Sequence, residues 1–74
     1  MIDQTIIDEV NRLDSEWAIT VWKNKKNDKE YVVMFVSVHT ETEEIFINYQ
    51  KAGTIYSTVF SRPLNLFLEK FERV

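Results

Sequence analysis

The chain holds no cysteine, one glycine, one proline and one histidine in its 74 residues. Without cysteine there is no disulfide framework and no thiolate metal site to reinforce the fold, and the composition suits a reducing compartment. As a metal site the histidine block "HTETEE" offers one imidazole and several carboxylates, without a second histidine or a cysteine to fill a tetrahedral shell, and the reading as a corner is preferred to it. The serines Ser37, Ser57 and Ser61 stand in no nucleophile-elbow motif, so no covalent catalyst is spelled out. With so little glycine and proline there is no linker, repeat or low-complexity segment, and the chain reads as one domain. No apolar run reaches the roughly 20 residues that span a bilayer, and the N-terminus lacks the basic start and apolar stretch of a secretory signal. A soluble, cytoplasmic protein without membrane contact is expected. Positive charge is also short: nine Lys and Arg face twelve Asp and Glu, for a net charge of −3. That balance argues against non-specific nucleic-acid binding, which rests on a basic face neutralising phosphates.

What the chain does have is aromatic surface. Ten aromatic residues are spread from Trp17 to Phe71, and they supply the large buried areas by which a short chain offsets its conformational entropy. Residues 2 to 17 place Ile2, Ile6, Ile7, Val10, Leu13 and Trp17 at helical three-and-four spacing, with one buried face. Asp3 suits the N-cap, Ile2 and Ile7 the two positions of a hydrophobic staple, and Asp14 and Ser15 the helix exit. A helix over residues 1–15 is therefore expected.

From Trp17 the period falls to two, and β-branched and aromatic residues dominate. The strand candidates are "WAITVW", "EYVVMFVSV", "EIFINY", "TIYSTVF" and the tail "FLEKFERV". "KNKKNDK" reads as a solvated turn, "HTETEE" as a corner shaped by its threonines, and "QKAGT" as a turn in which Gly53 takes a positive φ. Pro63 suits the first position of a short helical turn through Leu64, Asn65 and Leu66. "YVVMF" is apolar on both faces, which places that strand centrally with cover on either side. Five short antiparallel strands with a helical turn before the last is the plan of an SH3-like barrel over residues 17–74, with the N-terminal α-helix added. An open sheet with that helix packed across it is the alternative.

A set of short motifs then points to a family. Trp22 and Lys23, Tyr31 and Val33, the block His39, Thr40, Glu41, Thr42 and Glu44, then Tyr49, and finally Arg62, Pro63, Leu64, Phe67 and Glu69 follow one another in order. From Trp22 onward the chain resembles the small bacterial and phage proteins grouped as DUF1653, a domain of unknown function. The resemblance implies a compact β-rich domain and no particular activity. The N-terminal helix lies outside it. The family usually carries a glycine in the strand before the histidine, where this chain reads Phe35, Val36 and Ser37.

The candidate site residues are His39, Glu41, Tyr49, Tyr56 and Arg62. His39 and Glu41 share a face at two-residue spacing, as a base and its orienting carboxylate would, but no nucleophile accompanies them. The simpler reading is a corner in which the imidazole caps backbone groups. Arg62, beside a proline that fixes the chain direction, is poised for a carboxylate or phosphate, whether internal (the 41 to 44 corner or Glu69) or on a ligand. No cofactor and no metal is expected.

Two roles fit this reading. One is a small non-enzymatic binding module that engages a protein or a small anionic ligand through Tyr49, Tyr56, His39 and Arg62. The other is a homo-oligomeric accessory or phage-type inhibitory protein whose acidic residues Asp8, Glu9, Glu41, Glu43 and Glu44 occupy a basic site on a host partner. Most of the apolar tail from Leu64 to Phe71 is expected in the core, and a strip left over, with the helix face, would favour self-association as a homodimer. An enzyme and a nucleic-acid binder rank behind both.

Overall fold

A computed structural model of the chain describes residues 2–53 and 58–74. The elements run α1 (Gln4–Trp17), β1 (Thr20–Asn24), β2 (Glu30–Val38), β3 (Ile45–Lys51), β4 (Phe60–Pro63), α2 (Leu64–Lys70) and β5 (Phe71–Arg73). All five strands form one antiparallel sheet in the order β4-β3-β2-β1-β5. Among the described residues no helix is long and apolar enough to cross a membrane.

Helix α1 begins where the sequence places it. The Asp3 carboxylate accepts a hydrogen bond from the Thr5 N–H at 2.7 Å, satisfying one of the free donors of the first turn. That bond holds the Asp3 pKa below the usual carboxylate range. On the outer face Arg12 binds Glu9 and, at 2.8 Å, Glu16. Glu9 is accordingly held below its ordinary pKa, chiefly by its hydrogen bond from Arg12, which is itself raised. Val10 and Leu13 face inward and are buried. The helix continues past the expected exit to Trp17, where the Ala18 N–H bonds the Asp14 carbonyl. Asp14 stays helical because its carboxylate has another task, described below. Ile19 then takes a φ of 60°, a strained value for a β-branched residue, and starts the chain into β1 with its N–H on the Val33 carbonyl at 2.8 Å.

The cross-strand pairs put Trp22, Tyr31, Val33, Val36, Ile47, Tyr49, Arg62 and Phe71 on one face of the sheet. Val33 and Val36 are three residues apart, and a regular strand would send them to opposite faces. A β-bulge makes the difference: Val33 pairs with Tyr49 and Phe35 with Asn48, so Met34 is the extra residue. The bulge turns both valines inward, where they are 0% and 7% exposed. The outer face of β2 is not covered as expected, and Phe35 remains 47% exposed there. Its apolar run reflects the bulge rather than a two-sided core.

Beyond Val33, β2 no longer pairs with β1. The Val36 N–H donates instead to the Asp14 carboxylate at 2.8 Å, which ties α1 to the sheet and meets the demand that a part-buried N–H be paired. Val10 and Leu13 join Trp22, Val33, Val36, Ile47, Tyr49, Phe67 and Phe71 in one core cluster.

The sheet does not close into the expected SH3-like barrel and matches the alternative of an open sheet with the N-terminal helix packed on it. The sheet is open, with β4 and β5 as its two edges. The reason lies in the segment after Pro63. The short turn foreseen at Leu64 to Leu66 is a seven-residue helix reaching Lys70, and it shortens the last strand to Phe71–Arg73. Pro63 stands just before this helix, closing β4 with φ −56°. Phe67, at 0% exposure, drops from α2 into the core. The turn over Lys25, Lys26 and Lys29 is exposed as expected, and Gly53 takes φ +82°. Most of the strand candidate "TIYSTVF" lies outside the described residues.

Replacing Asp14 with Ala should cost about 1 to 3 kcal/mol in urea denaturation, because it leaves the Val36 N–H without its acceptor. Ser15→Ala, on the exposed side of the same helix, should be nearly silent. Equal effects of the two would show that the Asp14 tie contributes nothing.

Candidate functional site

The inward face of the sheet carries a dense run of rings. Phe67 lies 5.0 Å from Trp22 between ring centroids and stacks on Phe71 at 4.6 Å, with planes 12° apart. Tyr49 meets Phe71 at 5.1 Å, Phe67 at 5.4 Å, Tyr31 at 5.7 Å and Phe60 at 5.8 Å. These separations are those of favourable ring pairs. Tyr49 is 5% exposed, so its hydroxyl needs a partner.

That partner is Arg62. Arg62 pairs with Ile47 across the β3–β4 ladder, and Phe60 pairs with Tyr49, so Arg62 and Tyr49 are diagonal neighbours on the inward face. The Arg62 Nε donates to the Tyr49 hydroxyl oxygen at 2.8 Å. Its guanidinium carbon stands 5.9 Å from the Phe71 ring centroid, within cation–π range. An arginine of one edge strand thus rests on an aromatic ring of the other.

Beside this contact opens a cavity of about 150 Å³ lined by Asn24, Tyr31, Tyr49, Phe60, Arg62 and Phe71. Every strand contributes to it. Asn24 ends β1, and its side-chain oxygen accepts the Lys26 N–H at 2.8 Å, fixing the β1–β2 turn at the cavity wall. Among the described residues of the lining, Arg62 is the only charged one. The ion pairs among the described residues join Arg12 to Glu9 and Glu16, and Lys23 to Glu72; none reaches Arg62. The internal carboxylate expected for it, from the 41 to 44 corner or Glu69, is replaced by the Tyr49 hydroxyl. With Nε engaged there, the two terminal nitrogens of the guanidinium donate to no acceptor among the described residues, which leaves donors for another.

The histidine block stands elsewhere. The His39 N–H donates to the Glu44 carbonyl and its carbonyl accepts the Glu43 N–H, both at 2.8 Å. The His39 Nδ1 accepts the N–H groups of Glu41 and Thr42, both at 3.3 Å. The ring leans on Phe46 at 5.9 Å between centroids. The imidazole is thus a cap for its own corner, and Glu41 is exposed beside it. Neither lines the cavity. Of the candidate residues, Tyr49 and Arg62 are brought together, His39 and Glu41 form the corner, and Tyr56 lies outside the described residues. Tyr31, Phe60, Phe71 and Asn24 complete the cavity without having been singled out.

Among the described residues the lining holds one cation, Arg62, one amide and four aromatic rings, a chemistry that can hold an anion. Among the described residues no group of three acids or histidines is placed to hold a metal ion.

Residues 22–74 match the family DUF1653, described as a protein of unknown function. The chain belongs to the DUF1653 family. The match begins at Trp22, so it takes in all the cavity-lining residues and leaves α1 outside. No curated protein and no solved structure matches the chain. In this DUF1653 domain the "RPL" motif serves two ends: Arg62 enters the cavity, and Pro63 with Leu64 turns the chain into α2.

Because Arg62 neutralises no buried acid, Arg62→Ala should cost only about 1 kcal/mol, the worth of one hydrogen bond. Phe67→Ala, which empties the centre of the ring cluster, should cost about 3 to 5 kcal/mol. Chemical denaturation of both variants checks this, and an Arg62→Ala loss as large as that of Phe67→Ala would mean the arginine is a core element.

Proposed function

We propose that this domain is a non-enzymatic binding module, an SH3-like plan left open along one seam, which receives a small anionic ligand at that seam through Arg62. The strand order and the helix before the last strand support the SH3-like reading. The absence of cysteine agrees with a cytoplasmic location.

The observation that carries the proposal is the state of the arginine. Its Nε is spent on Tyr49 and its face on Phe71, so the guanidinium is oriented before any ligand arrives. A planar fork held in this way suits two parallel bonds to a carboxylate or phosphate, and little further ordering opposes binding. The remaining lining is aromatic apart from Asn24, so the ligand carries an apolar or planar body next to its charge. Engineered cavities of about 150 Å³ accept benzene, which sets the size at about one ring.

Benzoate and its neutral counterpart benzamide make the test. Titrated against ¹⁵N-labelled protein, benzoate should shift the resonances of Tyr31, Tyr49, Phe71 and the Arg62 side chain, and benzamide should bind at least about tenfold more weakly. Arg62→Gln should keep the fold and lose the preference. Equal binding of the two compounds, or shifts away from the cavity, would refute the assignment.

A further inference from the structure

A second concavity lies at the other end of β3, and it shares no lining residue with the Arg62 cavity. It encloses about 460 Å³ between the 39–44 corner and α2, and is lined by Glu43, Glu44, Ile45, Leu64, Asn65 and Leu68. The floor is aliphatic. Ile45 and Leu64 pack against the core from its edge, while Leu68, one helical turn beyond Leu64, is left 45% exposed. A branched apolar surface of this kind gains by being covered.

The rim has one sign. Glu43 and Glu44 are exposed, with Glu41 on the same corner, and none of the three carboxylates takes part in an ion pair among the described residues. The corner that carries them is firm. The His39 imidazole and backbone hold four of its main-chain groups, the Thr42 hydroxyl accepts the Glu44 N–H, and Glu43 is fixed at φ 62°. The acids are therefore presented at set positions beside an apolar trough. This arrangement fits side chains that are aliphatic at the tip of contact and cationic on either side, and it repels acidic peptides, nucleic acid and anionic lipid surfaces.

We infer that the groove between the 39–44 corner and α2 docks a short basic and aliphatic segment of a partner protein. One or two leucine-like side chains lie on Ile45, Leu64 and Leu68, and flanking lysines or arginines meet Glu43 and Glu44. The His39 corner then has a purpose besides joining β2 to β3, since its hydrogen bonds hold the acidic rim against the trough.

The test uses the full chain and two fluorescein-labelled peptides, acetyl-Lys-Lys-Leu-Lys-Lys-Leu-amide and the same peptide with glutamate in place of lysine. In fluorescence anisotropy the basic peptide should bind and the acidic one should not. Its affinity should fall by about tenfold or more in the Glu43→Lys, Glu44→Lys double variant and weaken as salt is raised to about 0.15 M. Leu68→Ser should weaken it as well. All these positions are exposed, and thermal unfolding of each variant should match that of the parent, so lost binding would not reflect lost fold. Amide shifts on binding should centre on Ile45, Leu64 and Leu68 and spare Tyr49 and Phe71. Binding that tolerates the charge reversal, equal capture of the acidic peptide, or shifts centred on the Arg62 cavity would each overturn the inference. So would sedimentation showing that the chain dimerises and that Leu68→Ser returns it to a monomer, since the groove would then be filled by a second copy.

Discussion

Phe67 sits at 0% exposure with its ring stacked on Phe71 at 4.6 Å and angled against Trp22 at 5.0 Å. It belongs to a two-turn helix that joins one edge of the sheet to the other, and its insertion decides how near those edges come. Trp17, at the end of α1, closes on the same group at 4.9 Å from Trp22. One side chain from the connection between β4 and β5 is therefore the common contact of both helices and the inner face of the sheet. In a chain of 74 residues without cysteine, and so without disulfides, a ring cluster of this kind carries much of what offsets the entropy of folding.

The open seam follows from the same constraint. With Phe67 and α2 between them, β4 and β5 do not pair, and the inward residues near the gap are left to make their own contacts. Arg62 does so from one edge by resting on Phe71 of the other and donating to Tyr49. The cost of a buried cation is avoided because Arg62 is only half-buried. The apolar slab thus provides both the stability of the domain and the fixed platform for the Arg62 guanidinium.

Much of this was legible in the sequence, for reasons that differ from element to element. The alternation in "EYVVMFVSV" and "EIFINY" and the cap at Asp3 fix local structure by local chemistry, and β2, β3 and the start of α1 fall where expected. The segment "LNLFLEKF" discloses only the first turn of its helix and reads as strand from Phe67 on, because a short apolar run satisfies strand and helix periods alike, and only the burial of Phe67 selects between them. The bulge at Met34 was hidden for a related reason: every neighbour is apolar, so inserting one residue leaves no break in the pattern. At the site, Tyr49 and Arg62 stood out for their polar groups. Tyr31, Phe60 and Phe71 read as core, and only the curl of the sheet brings them around the arginine. His39 attracted notice as the lone imidazole, yet its Nδ1 is committed to the N–H groups of Glu41 and Thr42.

The ring cluster holds the Arg62 guanidinium in one orientation. The Arg62 Nε–Hε resonance in a ¹⁵N-correlated NMR spectrum reports on this directly. A resolved, slowly exchanging signal is expected at neutral pH, with cross-relaxation to ring protons of Tyr49 and Phe71, and its collapse to the free-arginine position in Tyr49→Phe while the backbone amides stay dispersed. A signal at the free-arginine position in the unaltered protein, with no contact to either ring, would contradict the fixed orientation.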